Sequence, residues 1–458
     1  MNIIPPFGSF LIAYFLYLIF STKNIKELLI KTMVITITID IYYIQGYFIY
    51  FGANRAYDLV VSVLLSIISI IYLYLSNVNI KKDVFAYAAI FVVFAMIGDF
   101  YELFDPFQGE IGGGDSGAGW DNYAKGLIPK EKMNISFARF GIDFVYYFTA
   151  IISIIILKSD FNINEIGRII HSVNNLLKIG VAFGVLEFIS KILLGSDLSL
   201  DASLFLFGTD TSTLDELRER NESYLLQGIS REASHYANTL YYTFVFLFLE
   251  MKIIKRTNFM ILDKIEMVVA LFLMCVSGSF SSLEYIFALF LLLIYWHLKD
   301  KRKKEIGIFI GLMLTVCLIT LFILMEEFDL SGYFFERIEV SILVLSLLTS
   351  GNLIGVSGLT SAVPRFISIY DSIINILQRP FFGLGMGVEW SHSTWISFLS
   401  NFGLLGLWAW MKLIFSGYNY HKIPVLIIIV VPFVLSGAKF WAAFLNTIIL
   451  VEAFRKGK

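Results

Sequence analysis

Runs of apolar residues approaching the ~20 needed to cross a bilayer recur from one end of this chain to the other. Nothing else in the sequence constrains the fold as strongly. With no water in the hydrocarbon core to satisfy backbone groups, such runs fold as helices. Spans are expected near 5–21, 28–50, 58–76, 83–100, 140–158, 171–194, 235–251, 264–281, 283–298, 306–325, 393–411, 423–437 and 439–452. Composition agrees: 57% of the 458 residues are apolar and only 16% charged, with a mean hydropathy of +0.76. A soluble domain carries about 25% charge. The expected fold is an all-α polytopic integral membrane protein of about 12–14 transmembrane helices, residues 1–458 forming one transmembrane domain. The first run lacks a basic flank and a small-residue cleavage site before Lys23, so it reads as a span and not as a cleaved signal. Cys275 and Cys317 both fall inside apolar runs and read as packing residues.

Lysine and arginine sort the connections by side. Twenty-one of the 35 occupy one alternating set of short loops and the tail, including Lys26, Lys158, Arg168, Arg455 and Lys456. The positive-inside rule assigns that set to the cytoplasm. The N-terminus is then outside and the C-terminus inside. Merging the last two spans would move Arg455 and Lys456 outside, so they are kept apart. All three long polar segments, 101–139, 195–234 and 326–392, then face outward, and loops of that length are usually functional or disordered. Chemistry is expected on the outer face, and ATP-driven work from the inside is not.

The first of these segments contains Gly112, Gly114 and Gly117 in a formal G-x-G-x-x-G, but no strand precedes it and no βαβ unit follows. Asp105, Glu110, Asp115 and Asp121 fit no calcium-loop spacing; a solvated turn is the better reading. The second segment carries Arg218 and Arg220 in an alternating-charge stretch, then Arg231 and Glu232 beside the membrane edge. Charge there is expensive unless paired or used, so those two are either a local ion pair or functional. A serine hairpin, with Ser277, Ser279, Ser281 and Ser282, lies between two spans and suits the capping of helix ends. The third segment holds a short apolar piece, 338–348, expected at the interface or re-entrant. It also holds Arg365 and Arg379 at the ends of a helix-periodic stretch. Arg379 reads either as a planar fork for phosphate or as a helix-end cation beside Pro380. Gly383, Gly385 and Gly387 follow at alternate positions, free to turn tightly near a partner, and His392 stands where the chain re-enters apolar sequence. His171, His297 and His421 fall near the basic loops and read as structural, and His235 is ambiguous.

The spacing of Arg365 ahead of Pro380, then Gly383-Leu-Gly385-Met-Gly387, Ser391-His392-Ser393 and SNFGLLGL, resembles the O-antigen polymerase and O-antigen ligase superfamily of bacterial envelope glycosyltransferases. GISREASHYA is similar to that superfamily's Arg…Gly…Glu-Pro-Ser…Ala segment, with Ala233 where proline is usual. The resemblance implies a membrane-embedded, GT-C-like glycosyltransferase in the bacterial inner membrane, its active site facing the periplasm or exterior. It implies metal-independent transfer from an undecaprenyl-pyrophosphate-linked oligosaccharide, with no cofactor and no nucleic acid. A flippase and a chain-length regulator are implied as possible partners. Arg218, Arg220, Arg365 and Arg379 would hold the pyrophosphate, and Gly383, Gly385 and Gly387 would turn the backbone near it. His392 would be the catalytic base, Glu232 would orient it or serve as base in its place, and Arg231 would join them in catalysis. The expected activity is polymerisation of repeat units into O-antigen or capsular polysaccharide. Ligation to lipid A core is the nearest alternative, and a lipid-linked oligosaccharide flippase the rival of another class.

Overall fold

Helices apolar on every side can only be buried against one another or against lipid, and the chain obeys that rule. The computed structural model describes residues 6–42, 47–50, 53–105, 107, 137–191, 226, 228, 230, 233–254, 261–277, 279–299, 342, 346, 369, 372–388, 393–417 and 442–457. In chain order, α1 is Pro6–Ser21, α2 Ile25–Tyr42, α3 Tyr57–Leu75, α4 Lys82–Phe104, α5 Phe137–Ser159 and α6 Ile163–Ile189. Then come α7 Ala233–Leu249 with a π-helical turn Glu250–Ile254, α8 Ile261–Val276, α9 Phe280–Lys299, α10 Thr394–Phe415 and α11 Ala442–Lys456. Five of these, α3, α4, the Phe140–Ser159 part of α5, α6 and α10, are long and apolar enough to cross a membrane. The chain is thus a helical, multi-pass protein of membrane type. The expected spans at 306–325 and 423–437 lie outside the described residues.

One expectation changes in outline. The second span was drawn to residue 50, yet α2 ends at Tyr42 and Tyr47–Tyr50 pairs antiparallel with Ala53–Ala56, Tyr47 opposite Ala56. A run of Tyr, Phe and Ile is apolar enough to extend a hydropathy window, but it has the composition of a strand. The all-helical expectation therefore holds for the long elements, and this ribbon, β1–β2, is added to it.

The core lies where α2, α3, α5, α6, α7 and α11 meet, and α4 packs along α10 beside it. An aromatic cluster joins α4, α5 and α10: Phe91 lies 4.8 Å from Trp410 and 5.2 Å from Phe402, and Tyr147 lies 4.7 Å from Phe402, all between ring centroids. At the α8–α9 hairpin, the Ser277 hydroxyl donates to the Met274 carbonyl at 2.9 Å and lies 2.5 Å from Ser282 Oγ. Ser277 thus satisfies a carbonyl at the end of α8, the role its position implied.

Charged groups gather at one end of the bundle. Lys26 at the start of α2 meets Asp160 at 2.7 Å and Glu165 at 2.6 Å, and Arg168 meets Glu27 at 2.6 Å. Tyr72 near the end of α3 donates to Asp160. Glu452 of α11, fully buried, takes Arg455 at 2.5 Å and Lys158 at 3.3 Å. Lys158 and Lys456 also donate to backbone carbonyls, of Ser416 after α10 and of Leu157 and Phe161 around the end of α5. Cations there satisfy orphan carbonyls and the negative end of the helix dipole. This belt joins the starts of α2 and α6 to the ends of α3, α5, α10 and α11. It unites Lys26, Lys158, Arg168, Arg455 and Lys456 from the sequence-defined basic set. The long segments 101–139, 195–234 and 326–392 attach at the opposite ends of α4, α6, α7 and α10.

Candidate functional site

The end opposite the belt is built around a broken helix. α10 runs through Gly403 with φ 63° and ψ −174°, a left-handed residue inside a right-handed helix. That break separates the amides of Leu404 and Leu405 from the carbonyls of Ser400 and Asn401, their ordinary partners four residues back. The segment Arg379-Pro-Phe-Phe-Gly-Leu-Gly385 fills the gap. Leu404 N–H donates to Pro380 O at 2.8 Å and Leu405 N–H to Phe381 O at 3.1 Å. In return Leu384 N–H donates to Ser400 O at 2.8 Å and Gly385 N–H to Asn401 O at 3.0 Å. Two lost helical bonds become four, so the break inside an apolar bundle leaves none of these groups unsatisfied.

Glycine is required at the contact. A Cβ on Gly403 would lie 2.4 Å from the Phe381 carbonyl carbon, and one on Gly383 would lie 2.4 Å from that of Asn401. Gly383, Gly385 and Gly387 all hold positive φ, at 73°, 100° and 72°. The tight backbone anticipated from the alternate glycines is present, and its immediate partners are α10 and the end of α4.

Arg379 secures this loop to α4. Its guanidinium donates to Glu102 Oε2 at 2.5 Å and to the Asp105 carbonyl. It lies over the rings of Tyr101, 4.6 Å from the centroid, and Phe107, 5.3 Å away. Glu102 also accepts the Phe107 amide at 3.0 Å. The pair is 13% and 3% exposed at the side chains. Residues 372–378 are helical, and the Arg379 amide closes that helix on Asn375 O at 3.0 Å, so the residue stands at a helix end while its guanidinium is engaged with α4 and the residues after it. Along this short helix Ser372 and Asn375 turn inward while Ile373 and Leu377 are exposed, an orientation suited to a lipid surface. Asp99, one turn before Glu102, accepts the Met386 amide on Oδ1 at 2.5 Å. Leu384 and Val388 pack with Phe107 in a small separate core.

A second anchor stands at the end of α6. Glu187 accepts the Gly228 amide at 2.5 Å on Oε2 and pairs with Lys191 at 2.8 Å on Oε1. Ser230 donates to the Tyr42 carbonyl at 2.8 Å, and Thr239 of α7 to the Ile41 carbonyl at 2.8 Å. The backbone is thereby fixed just ahead of Arg231 and Glu232.

Of the sequence-predicted site residues, the structure brings Arg379, Gly383, Gly385 and Gly387 together. Arg218, Arg220, Arg231, Glu232, Arg365 and His392 lie outside the described residues, although the chain is held on both sides of His392, at Val388 and Ser393, both buried. Gly112, Gly114, Gly117, Glu110, Asp115, Asp121, Cys317 and His421 also lie outside them. His171 lies 3.0 Å from Glu250 on the π-helical turn, consistent with its structural reading. Sequence reasoning missed Asp99, Glu102 and the Gly403 break. Two carboxylates three residues apart at the end of an apolar run were a signal that a cation must meet them.

Compared with known proteins, the sequence matches no family model, and neither the curated proteins nor the solved structures give a match.

Proposed function

We propose that the protein is a polysaccharide polymerase that transfers a glycan between undecaprenyl-pyrophosphate carriers at the membrane end opposite the ionic belt. The observation that carries this reading is the seating of the Arg379–Gly385 segment in the Gly403 break. It makes a rigid frame of the sequence that resembles the glycosyltransferase motif, with Met386 to Val388 and Ser393 held on either side of His392. Rigid support is what a positioned base requires.

In this reaction an acceptor hydroxyl attacks the anomeric carbon of the donor glycan. The carbon–oxygen bond to the pyrophosphate breaks, and the hydroxyl proton passes to His392, whose ordinary pKa near 6.5 suits a base at neutral pH. Undecaprenyl pyrophosphate leaves with its charge held by Arg218, Arg220, Arg231 and Arg365, fixed cations that need no reorganisation as charge develops. Glu232 orients the base. Arg379, already engaged with Glu102, braces the Arg379–Gly385 segment, the lip of the proposed site.

The test is genetic complementation. In cells carrying His392→Ala, single lipid-linked units are expected to accumulate at normal protein level; long polymer there would remove His392 from the chemistry. A lipid-linked oligosaccharide flippase is the second reading, favoured by Lys178, an ionisable residue within α6 that meets Asp263 of the first turn of α8 at 3.1 Å, since ionisable residues inside spans mark transport pathways.

A further inference from the structure

We infer that Asp99 and Glu187 are matched positioning residues, each setting the register of one of the two loops that carry the proposed chemistry; the inference rests on the glycosyltransferase reading above. Both carboxylates stand near the C-terminal ends of packed helices, α4 and α6, away from the belt. Each accepts a loop amide at 2.5 Å, Met386 N–H on Asp99 and Gly228 N–H on Glu187. Met386 lies six residues before His392, and Gly228 three before Arg231 and four before Glu232.

The surroundings repeat as well. Lys191 pairs with Glu187 directly, and Arg379 pairs with Glu102, one turn on from Asp99. Each gripped backbone passes where only glycine fits closely. A Cβ on Gly385 would lie 3.1 Å from Asp99 Oδ1, and one on Gly228 would lie 2.3 Å from the Tyr236 ring. Gly228 is also left-handed, with φ 56°. Hydrogen bonds from an amide to a carboxylate are about twice as strong as neutral ones. Met386 and Gly228 are both buried, which limits competition from water for these amides. A loop held in this way inherits the rigidity of the helix that bears the carboxylate. Catalytic groups need placement to within about 0.5 Å. In this account each carboxylate acts through its loop and is a positioning residue.

The experiment uses the full-length protein in nanodiscs, with Asp99→Ala, Asp99→Asn, Glu187→Ala and Glu187→Gln. The substrate is the undecaprenyl-pyrophosphate-linked unit extracted from a strain lacking this protein. Peptide-level hydrogen exchange across 383–393 and 226–235 is read beside initial rates of chain extension. Asp99→Ala should raise exchange in 383–393 about 10-fold and leave 226–235 unchanged, and Glu187→Ala should do the reverse. Each should lower kcat about 100-fold with KM nearly unchanged. Asp99→Asn and Glu187→Gln still offer an oxygen to the amide and should fall between wild type and alanine in both readouts. They carry the comparison if an alanine variant does not fold. Unchanged local exchange, or raised exchange with wild-type kcat, would overturn the inference. Failure of the wild-type protein to extend chains would overturn the reading beneath it, and is told apart because the exchange measurement still separates the variants.

Discussion

Gly403 shows how much one residue decides here. Its φ of 63° suits glycine alone among ordinary residues, and a Cβ there would meet the Phe381 backbone at 2.4 Å. Positive φ with extended ψ costs a non-glycine residue about 1–3 kcal/mol before any clash. Gly403→Ala should therefore destabilise the protein by more than that, read as a lowered Tm in detergent; an unchanged Tm would mean that the break is not formed. Arg379 and Glu102 behave as a unit of another kind. Removing one partner of a buried ion pair costs about 3–5 kcal/mol, whereas removing both is often nearly neutral. Arg379→Gln and Glu102→Gln should each lower stability strongly, and the double variant should recover most of it. Additive losses would show that the two groups are not coupled. The arginine was legible in the sequence as either fork or helix-end cation. Its partner was not, because Glu102 lies 277 residues away and no local pattern links them.

At the scale of elements, hydropathy located the described helices to within a few residues at most ends, since transfer of apolar side chains is a local property of the chain. It did not foresee the β1–β2 ribbon or the break in α10. Both depend on hydrogen bonds between segments, which a window of apolarity cannot register. The docking of the α5–α6 turn on α2 and α3 makes its own prediction. Asp160 is partly buried, which alone would raise its pKa, but hydrogen bonds from Lys26 and Tyr72 outweigh that and hold it below the ordinary 3.8. A carboxyl lowered on folding stabilises the fold at pH above its ordinary value, and the contribution disappears as pH falls through the lowered one. The stability difference between wild type and Asp160→Asn should be constant from neutral pH to about 5 and shrink below 3.8. A difference that persists undiminished at lower pH would exclude this ion pair as its source.

Taken whole, the molecule has two chemically distinct ends. One is the belt of lysines and arginines paired on Asp160, Glu165 and Glu452; the other is the lip, where Asp99, Glu102 and Glu187 grip loop backbone. Sorting the basic residues by alternating loops anticipated the first, because charge asymmetry is written along the chain. The second was legible only as a set of glycines and a histidine, with the carboxylates that grip the loop backbone unseen. If the ends lie on opposite sides of the membrane, cysteines placed singly at Lys26 and at Gln378 in a Cys275→Ser, Cys317→Ser background should react with impermeant maleimide from opposite sides of sealed vesicles; labelling of both from one side would contradict the arrangement. The central claim, that the lip transfers glycan between lipid carriers, is tested most directly by reconstitution. The purified protein in liposomes is given the lipid-linked unit from the deletion strain, and chain length is read on a gel. Wild type should build a ladder while His392→Ala leaves single units; an equal ladder from both would contradict the account.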